Sequence, residues 1–392
     1  MSEWFIPEPE DFPSQRALLH LGLNKAARYY RELVVPGIGG AWFVRQLSWA
    51  MGGIVLAKEL HLKPSKIANA IEALACKLEW NNSENEDDYD GKGIRAFNRD
   101  GDDVWGFKEL SDKKHYVQIT YRMSTVRALT GLGLTTGTRF NTMELTQIGN
   151  AFVEDFLNQN KGGRGGKIVR NALTEWIQGS LIDKIEEGIG KRCVTGEEKQ
   201  IIRNRLLSDS SDTLSNSQRR KYLIETFGHN TVNMPDLDVI LKNLKQQDHV
   251  NDIETAIAFD AMLERGRKII HKCAELIAVS QYDIKGLTSS IKILKSKIEA
   301  YKKSKGKKHS DSDSFSTELL ATNNDTELLN CIVKRDGNIL MFSNGKIIKG
   351  TLFDNRKELI INDKTLQEQV GSEESSTENK LHQLFELWTD CQ

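Results

Sequence analysis

Residues 34–57, VVPGIGGAWFVRQLSWAMGGIVLA, constrain this chain more than any other stretch. The run is long enough to cross a bilayer, so the solvent around it decides the class of fold. Pro36, Gly37, Gly39 and Gly40 break its first part, and Arg45 and Gln46 stand near its middle. An arginine at mid-bilayer costs about 3 kcal/mol on insertion scales, and no longer apolar run is present to offset it. The expectation is a buried core helix over about 41–60, in a soluble, cytoplasmic protein without membrane contact. Residues 1–13 carry Glu3, Glu8, Glu10 and Asp11 and no basic residue, so no secretory signal is read there.

Around that segment the periodicity is helical. Behind Pro64, which a first helical turn tolerates, Ile67, Ala70, Ile71, Leu74 and Leu78 recur at three and four residues. Comparable stripes continue to Leu287, Ile291, Leu294, Ile298 and Tyr301, whose alternating steps of four and three make a heptad seam. Two heptads are short for a free coiled coil, so the seam is expected to lie on a helical neighbour. Beyond residue 327 the period shifts to two. Strands are expected at 331–333, 339–342, 347–353 and 358–361, with Asp336-Gly337 and Asn344-Gly345 as hairpin turns. Leu381, Leu384, Phe385 and Trp388 form a final amphipathic helix. The fold class expected is mainly α with a small antiparallel β part. A chain of 392 residues is expected to hold two or three domains. Composition places them at 1–160 (helical), 167–301 (helical) and 328–392 (small sheet and last helix). A glycine-rich joint over 161–167 and a basic, polar linker over 302–327 separate them.

Residues 114–157 are the most informative segment. They read as an extended piece at 115–120, a helix at 124–132, a glycine turn at 133–137, a short strand at 138–143 and a helix from Thr146. Ser124 or Thr125 is suited to cap the first helix and Thr146 the second, by accepting from an unsatisfied backbone N–H. Phe152 and Phe156 are the expected core anchors. The phrase Leu132-Gly133-Leu134, a wing-like turn, then Phe140 and Leu145-Thr146-Gln147-Ile148-Gly149 resembles the end of a winged-helix domain in bacterial regulators of the MarR and PadR type. The resemblance is confined to this segment. It implies Arg139 at the end of the wing strand and a recognition helix at 125–132, from which Thr125, Arg127 and Thr130 would reach base edges. Arg122, Arg127 and Arg139 are the residues expected on phosphates or on an acidic partner protein.

Overall charge gives no help, since 54 Lys and Arg oppose 55 Asp and Glu, so any polyanion surface has to be local. A chain with 39 % hydrophobic and 28 % charged residues is neither intrinsically disordered nor histone-like. From 265 to 308, thirteen basic residues stand against Glu275, Asp283 and Glu299. Lys302, Lys303, Lys305, Lys307 and Lys308 are the densest group. That group is expected to follow a phosphate backbone or dock an acidic protein. Tyr282 and Tyr301 alone interleave the region, too few for a platform that stacks single strands. The five cysteines lack zinc spacing, the eight histidines are scattered, and no nucleophile elbow occurs, so no catalytic residue, metal or cofactor is assigned. Glu72 with Lys77, and Lys108-Glu109 with Asp112-Lys113-Lys114, have the residue types of a magnesium-dependent nuclease without its strand context. The function expected is a non-enzymatic DNA-binding or accessory subunit of a bacterial DNA-processing or phage-defence complex. It would engage double-stranded DNA and a protein partner, with homo-oligomerisation open. A scaffold without nucleic-acid contact and a divergent magnesium-dependent nuclease are the alternatives.

Overall fold

The computed structural model describes residues 21–83, 89–100, 105–159, 168–180, 186–208, 214–228, 232–278, 284–336, 339–343, 346–351, 353 and 376–392. The chain is mainly helical with two small antiparallel hairpins, as the sequence periods predict. In order come α1 (Asn24–Val34), α2 (Val44–Leu60), α3 (Pro64–Asn82), α4 (Ile94–Asp100), α5 (Phe107–Leu110) and α6 (Tyr121–Gly131). Strands β1 (Thr135–Thr136) and β2 (Glu144–Leu145) precede α7 (Gln147–Leu157), α8 (Val169–Ile177), α9 (Glu186–Ile189), α10 (Gly196–Leu207), α11 (Leu214–Phe227) and α12 (Leu237–Asn243). Then follow α13 (Gln247–Ala278), α14 (Thr288–Lys303), α15 (Ser310–Leu320), α16 (Asp325–Asp336), β3 (Leu340–Ser343), β4 (Lys346–Lys349) and α17 (Thr377–Asp390). The chain divides into two compact units, Arg31–Val250 with Glu374–Gln392, and Met1–Tyr30 with Asn251–Glu373.

In the first unit α2 is the central element, packed along α3 and against α6 and α7. Its side chains are buried on every face from Val44 to Ile54, as a helix that is apolar all round requires. Gly53 lets the two helices approach closely, because a Cβ there would collide with Ala68. No described helix is long and apolar enough to cross a membrane. Arg45 and Gln46 are instead buried among protein partners. Arg45, fully buried, pairs with Glu198 at 3.1 Å, donates to the Cys193 carbonyl and lies 4.7 Å over the Phe156 ring. Glu198 also accepts from Ser48 and from Gln159. Desolvation lowers the Arg45 pKa and the Glu198 charge opposes it. Gln46 Nε2 donates to Thr125 Oγ1 at 2.6 Å and to the Gly40 carbonyl at 3.0 Å.

The second unit is built on the predicted seam. Leu287, Ile291, Leu294, Ile298 and Tyr301 are all buried, and α14 packs on α15, α15 on α16 and α16 on β3. The Tyr301 hydroxyl meets Tyr30 and Ser312, each at 2.8 Å. Two expectations fail here. The linker at 302–327 is instead the end of α14, all of α15 and the start of α16. Asp311 and Asp313 occupy the favourable first turn of α15, His309 accepts from the Asp311 N–H, and Phe315 and Leu319 are buried one turn apart. The strand at 331–333 is helix, since Leu328, Leu329, Ile332 and Val333 make one buried stripe at helical spacing. β3 and β4 pair antiparallel with Ser343 opposite Lys346, whereas the turn expected at Asn344-Gly345 lies outside the described residues. The joint at 161–167, the Gly337 turn and the strand at 358–361 lie outside the described residues.

Candidate nucleic-acid interface

The recognition-helix candidate, α6, begins earlier than the sequence suggests, at Tyr121. Its N-cap residue, Thr120, makes no capping bond and donates its hydroxyl to Asn69 Oδ1 at 3.2 Å instead. The buried carboxylate of Glu72, from the middle of α3, accepts from the backbone N–H of Tyr121 at 2.6 Å and of Arg122 at 2.8 Å. Tyr116 donates its hydroxyl to the same carboxylate at 2.9 Å. A carboxylate delivered from another helix thus satisfies the orphan donors that a local cap would have taken. Burial pushes the Glu72 pKa up, and the two N–H donors and the Lys92 charge pull against it. Ser124 and Thr125, the expected caps, donate back to the Tyr121 carbonyl instead.

The inner side of α6 rests on residues 37–40. Gly40 N–H donates to the Ser124 carbonyl at 2.9 Å, and Gly39, with φ +50°, lies so close that a Cβ would meet the Ala128 nitrogen at 2.8 Å. Lys380 of α17 donates to the Gly39 carbonyl, and burial lowers its pKa to about 7.

After α6 the chain turns through Gly133, at φ +68°, into β1, and Gly137, at φ +96°, leads out of that strand toward its antiparallel partner β2. The single strand expected at 138–143 is instead the connection, with a 3-10 turn at Phe140–Thr142 that buries Phe140. Thr146 caps α7 as expected, accepting from the Gly149 N–H at 3.0 Å, and Phe152 and Phe156 are fully buried. Between α6 and the hairpin lies a groove of about 640 Å³, lined by Val126, Arg127, Thr130, Thr136, Thr138 and Met143 among others.

The three arginines separate in role. Arg122 is turned inward: its Nε donates to Asn69 Oδ1 at 2.7 Å, its guanidinium lies 4.9 Å over the Phe140 ring, and burial lowers its pKa. Arg127 is exposed and lines the groove, 3.8 Å from the Glu32 carboxylate. Arg139 is exposed, with no ion-pair partner among the described residues.

The lysines separate in the same way. Lys302 bonds Asp313 at 2.9 Å and Thr317 at 3.0 Å. Lys308 closes the C-terminal end of α14, donating to the Ser304 carbonyl at 2.6 Å and the Lys302 carbonyl at 3.3 Å. Lys303, Lys305 and Lys307 are exposed and alternate with half-buried Ser304, Gly306 and Lys308. The backbone beneath them is fixed. Gly306 N–H donates to Thr255 at 2.9 Å, Lys307 N–H to the buried Asp252 at 2.8 Å, and Gly306 has no room for a Cβ beside the Asn251 carbonyl. The rest of the basic excess is partly neutralised, Lys268 by Glu264, Lys272 by Glu275 and Lys295 by Asp325. The spacing of Lys303, Lys305 and Lys307 is plain in the sequence, but their anchoring from α13 is not.

Glu72 and Lys77 are both buried, the carboxylate committed to the start of α6 and the Lys77 ammonium set 4.8 Å over the Trp105 ring. Among the described residues no three His, Cys, Asp or Glu side chains converge to hold a metal ion. Comparison with protein-family models, curated proteins and solved structures finds no match to this chain.

Proposed function

We propose that this chain is a non-enzymatic accessory protein that binds the phosphate backbone of double-stranded DNA. The observation that carries the reading is the anchored segment at 303–307, which holds three ammonium groups in water on a backbone fixed by Thr255 and Asp252. Ammonium groups so held release counterions from a duplex without reading its sequence. Arg127 and Arg139, exposed on the helix–hairpin face, are the further contacts in this reading, which the winged-helix resemblance also favours. Arg122, Lys302 and Lys308 act within the fold.

The test is duplex binding followed by fluorescence anisotropy across a salt titration. Log affinity should fall linearly with log salt, and Lys303→Ala with Lys305→Ala and Lys307→Ala should reduce the slope by about 0.9 for each phosphate no longer neutralised. Lys302→Ala should leave the slope unchanged. A chain that copurifies with a protein partner, yet shows no salt-dependent duplex binding, would favour the scaffold reading instead.

A further inference from the structure

We propose that the groove between α6 and the β1–β2 hairpin seats one sugar–phosphate unit of a DNA strand, with Thr130, Thr136 and Thr138 as phosphate-positioning residues beside Arg127. This rests on the nucleic-acid reading but on a different part of the molecule from the lysine segment. The groove, at about 640 Å³, falls within the range of small-ligand sites, roughly 300–1,000 Å³. Its lining divides by chemistry. Arg127 supplies a guanidinium able to take two oxygens of one phosphate, and the threonines supply hydroxyl donors of the kind that position a backbone. Val126 and Met143 supply apolar surface suited to the carbon face of a deoxyribose.

The polar groups are available. Thr138 is exposed, and among the described residues the Thr136 hydroxyl has only a long 3.5 Å bond to the Glu144 carbonyl. Thr130 donates to the Arg127 carbonyl at 3.2 Å, which leaves its oxygen free to accept or its proton free to swing. The guanidinium faces one competing carboxylate, Glu32, at 3.8 Å, beyond hydrogen-bond length. Glu32 is itself held by the Gly37 N–H at 3.0 Å. The groove has no aromatic lining, so it offers a seat for backbone and not for a stacked base.

The test uses the full chain with 13C-methyl methionine and two probes, the 5′-phosphorylated thymidine dinucleotide and inorganic phosphate. The dinucleotide should shift the Met143 methyl saturably, and inorganic phosphate at equal concentration should not. Arg127→Gln should weaken dinucleotide binding about tenfold, the loss of a charge-assisted bond. Thr130→Val with Thr138→Val, which keeps shape and removes hydroxyls, should weaken it several-fold, and Glu32→Gln should strengthen it. A purely structural role for these side chains predicts no such opposed pair of effects. Absence of the Met143 shift, an equal shift with inorganic phosphate, or unchanged binding in Arg127→Gln overturns the assignment. The lysine-triple variant separates the two readings: duplex binding that this variant loses, in a wild-type chain whose Met143 methyl does not shift, removes the groove alone. An intact shift with lysine-independent duplex binding removes the lysine segment alone.

Discussion

The two units differ in whether they bury cations. In the unit around α2, Arg45, Lys77, Arg220 and Lys380 are almost fully buried. In the unit around α14 no described lysine or arginine is buried, and Lys303, Lys305 and Lys307 stand in water. The first group is spent on the chain itself. Arg220 donates to the Leu206 and Pro36 carbonyls, Lys380 to Gly39, and Arg45 to Glu198 and Cys193. A positive charge in the sequence is therefore not a positive charge on the surface, and only the second kind can meet a polyanion.

The comparison is broken most severely by removing the partner of a buried cation. Glu198→Ala should cost about 3–5 kcal/mol, because it strands the Arg45 guanidinium without water, and urea unfolding reads the loss directly. A midpoint within error of wild type would mean that Arg45 is hydrated in solution. In the second unit the matching weak point is apolar. Leu294→Ala should cost about 3 kcal/mol through lost burial and a cavity in the seam, measured the same way.

Lys380 sharpens the contrast through pH. Its pKa is lowered from 10.5 to about 7 by burial, so the folded state disfavours its charged form. A lowered folded pKa gives stability that is fully present above 10.5 and is lost as pH falls to 7. Relative to Lys380→Met, wild-type stability should therefore rise by about 1 kcal/mol per pH unit between pH 7 and 10, and stay flat below 7. Urea melts across that range check the slope, and parallel curves for the two proteins would show that the side chain reaches water. The smallest effect belongs to the exposed cations. Lys303→Ala, Lys305→Ala and Lys307→Ala together should move stability by less than about 0.5 kcal/mol at any pH, while changing duplex affinity.

Much of the scaffold is legible in the residues. The stripe from Ile67 to Leu78, the seam from Leu287 to Tyr301, the Thr146 cap and the pairing of β3 with β4 all follow from local period and capping chemistry. Residues 310–320 read as a solvated linker because six of their eleven side chains are Ser or Asp, whereas Phe315 and Leu319 carry the helix. The proposed interface is half legible. Arg127, Arg139, Lys303, Lys305 and Lys307 stand exposed as the binding reading needs, whereas Arg122, Lys302 and Lys308 find partners within the fold. Glu72 gives one signal, a lone acid in the alanine-rich run 67–76, with nothing to say that it would start a helix 49 residues later.

By itself the sequence determined most of the helical segments, α15 and α16 excepted, that the run at 34–57 packs in a protein core, and where the positive charges crowd. Those properties depend on neighbours within one or two turns, and a short window contains them. Only the tertiary structure decided which cations stay in water, what begins α6 and where a groove opens. Each of those depends on groups far apart along the chain, Arg45 with Glu198, Glu72 with Tyr121 and Lys380 with Gly39, that meet only once the core has closed.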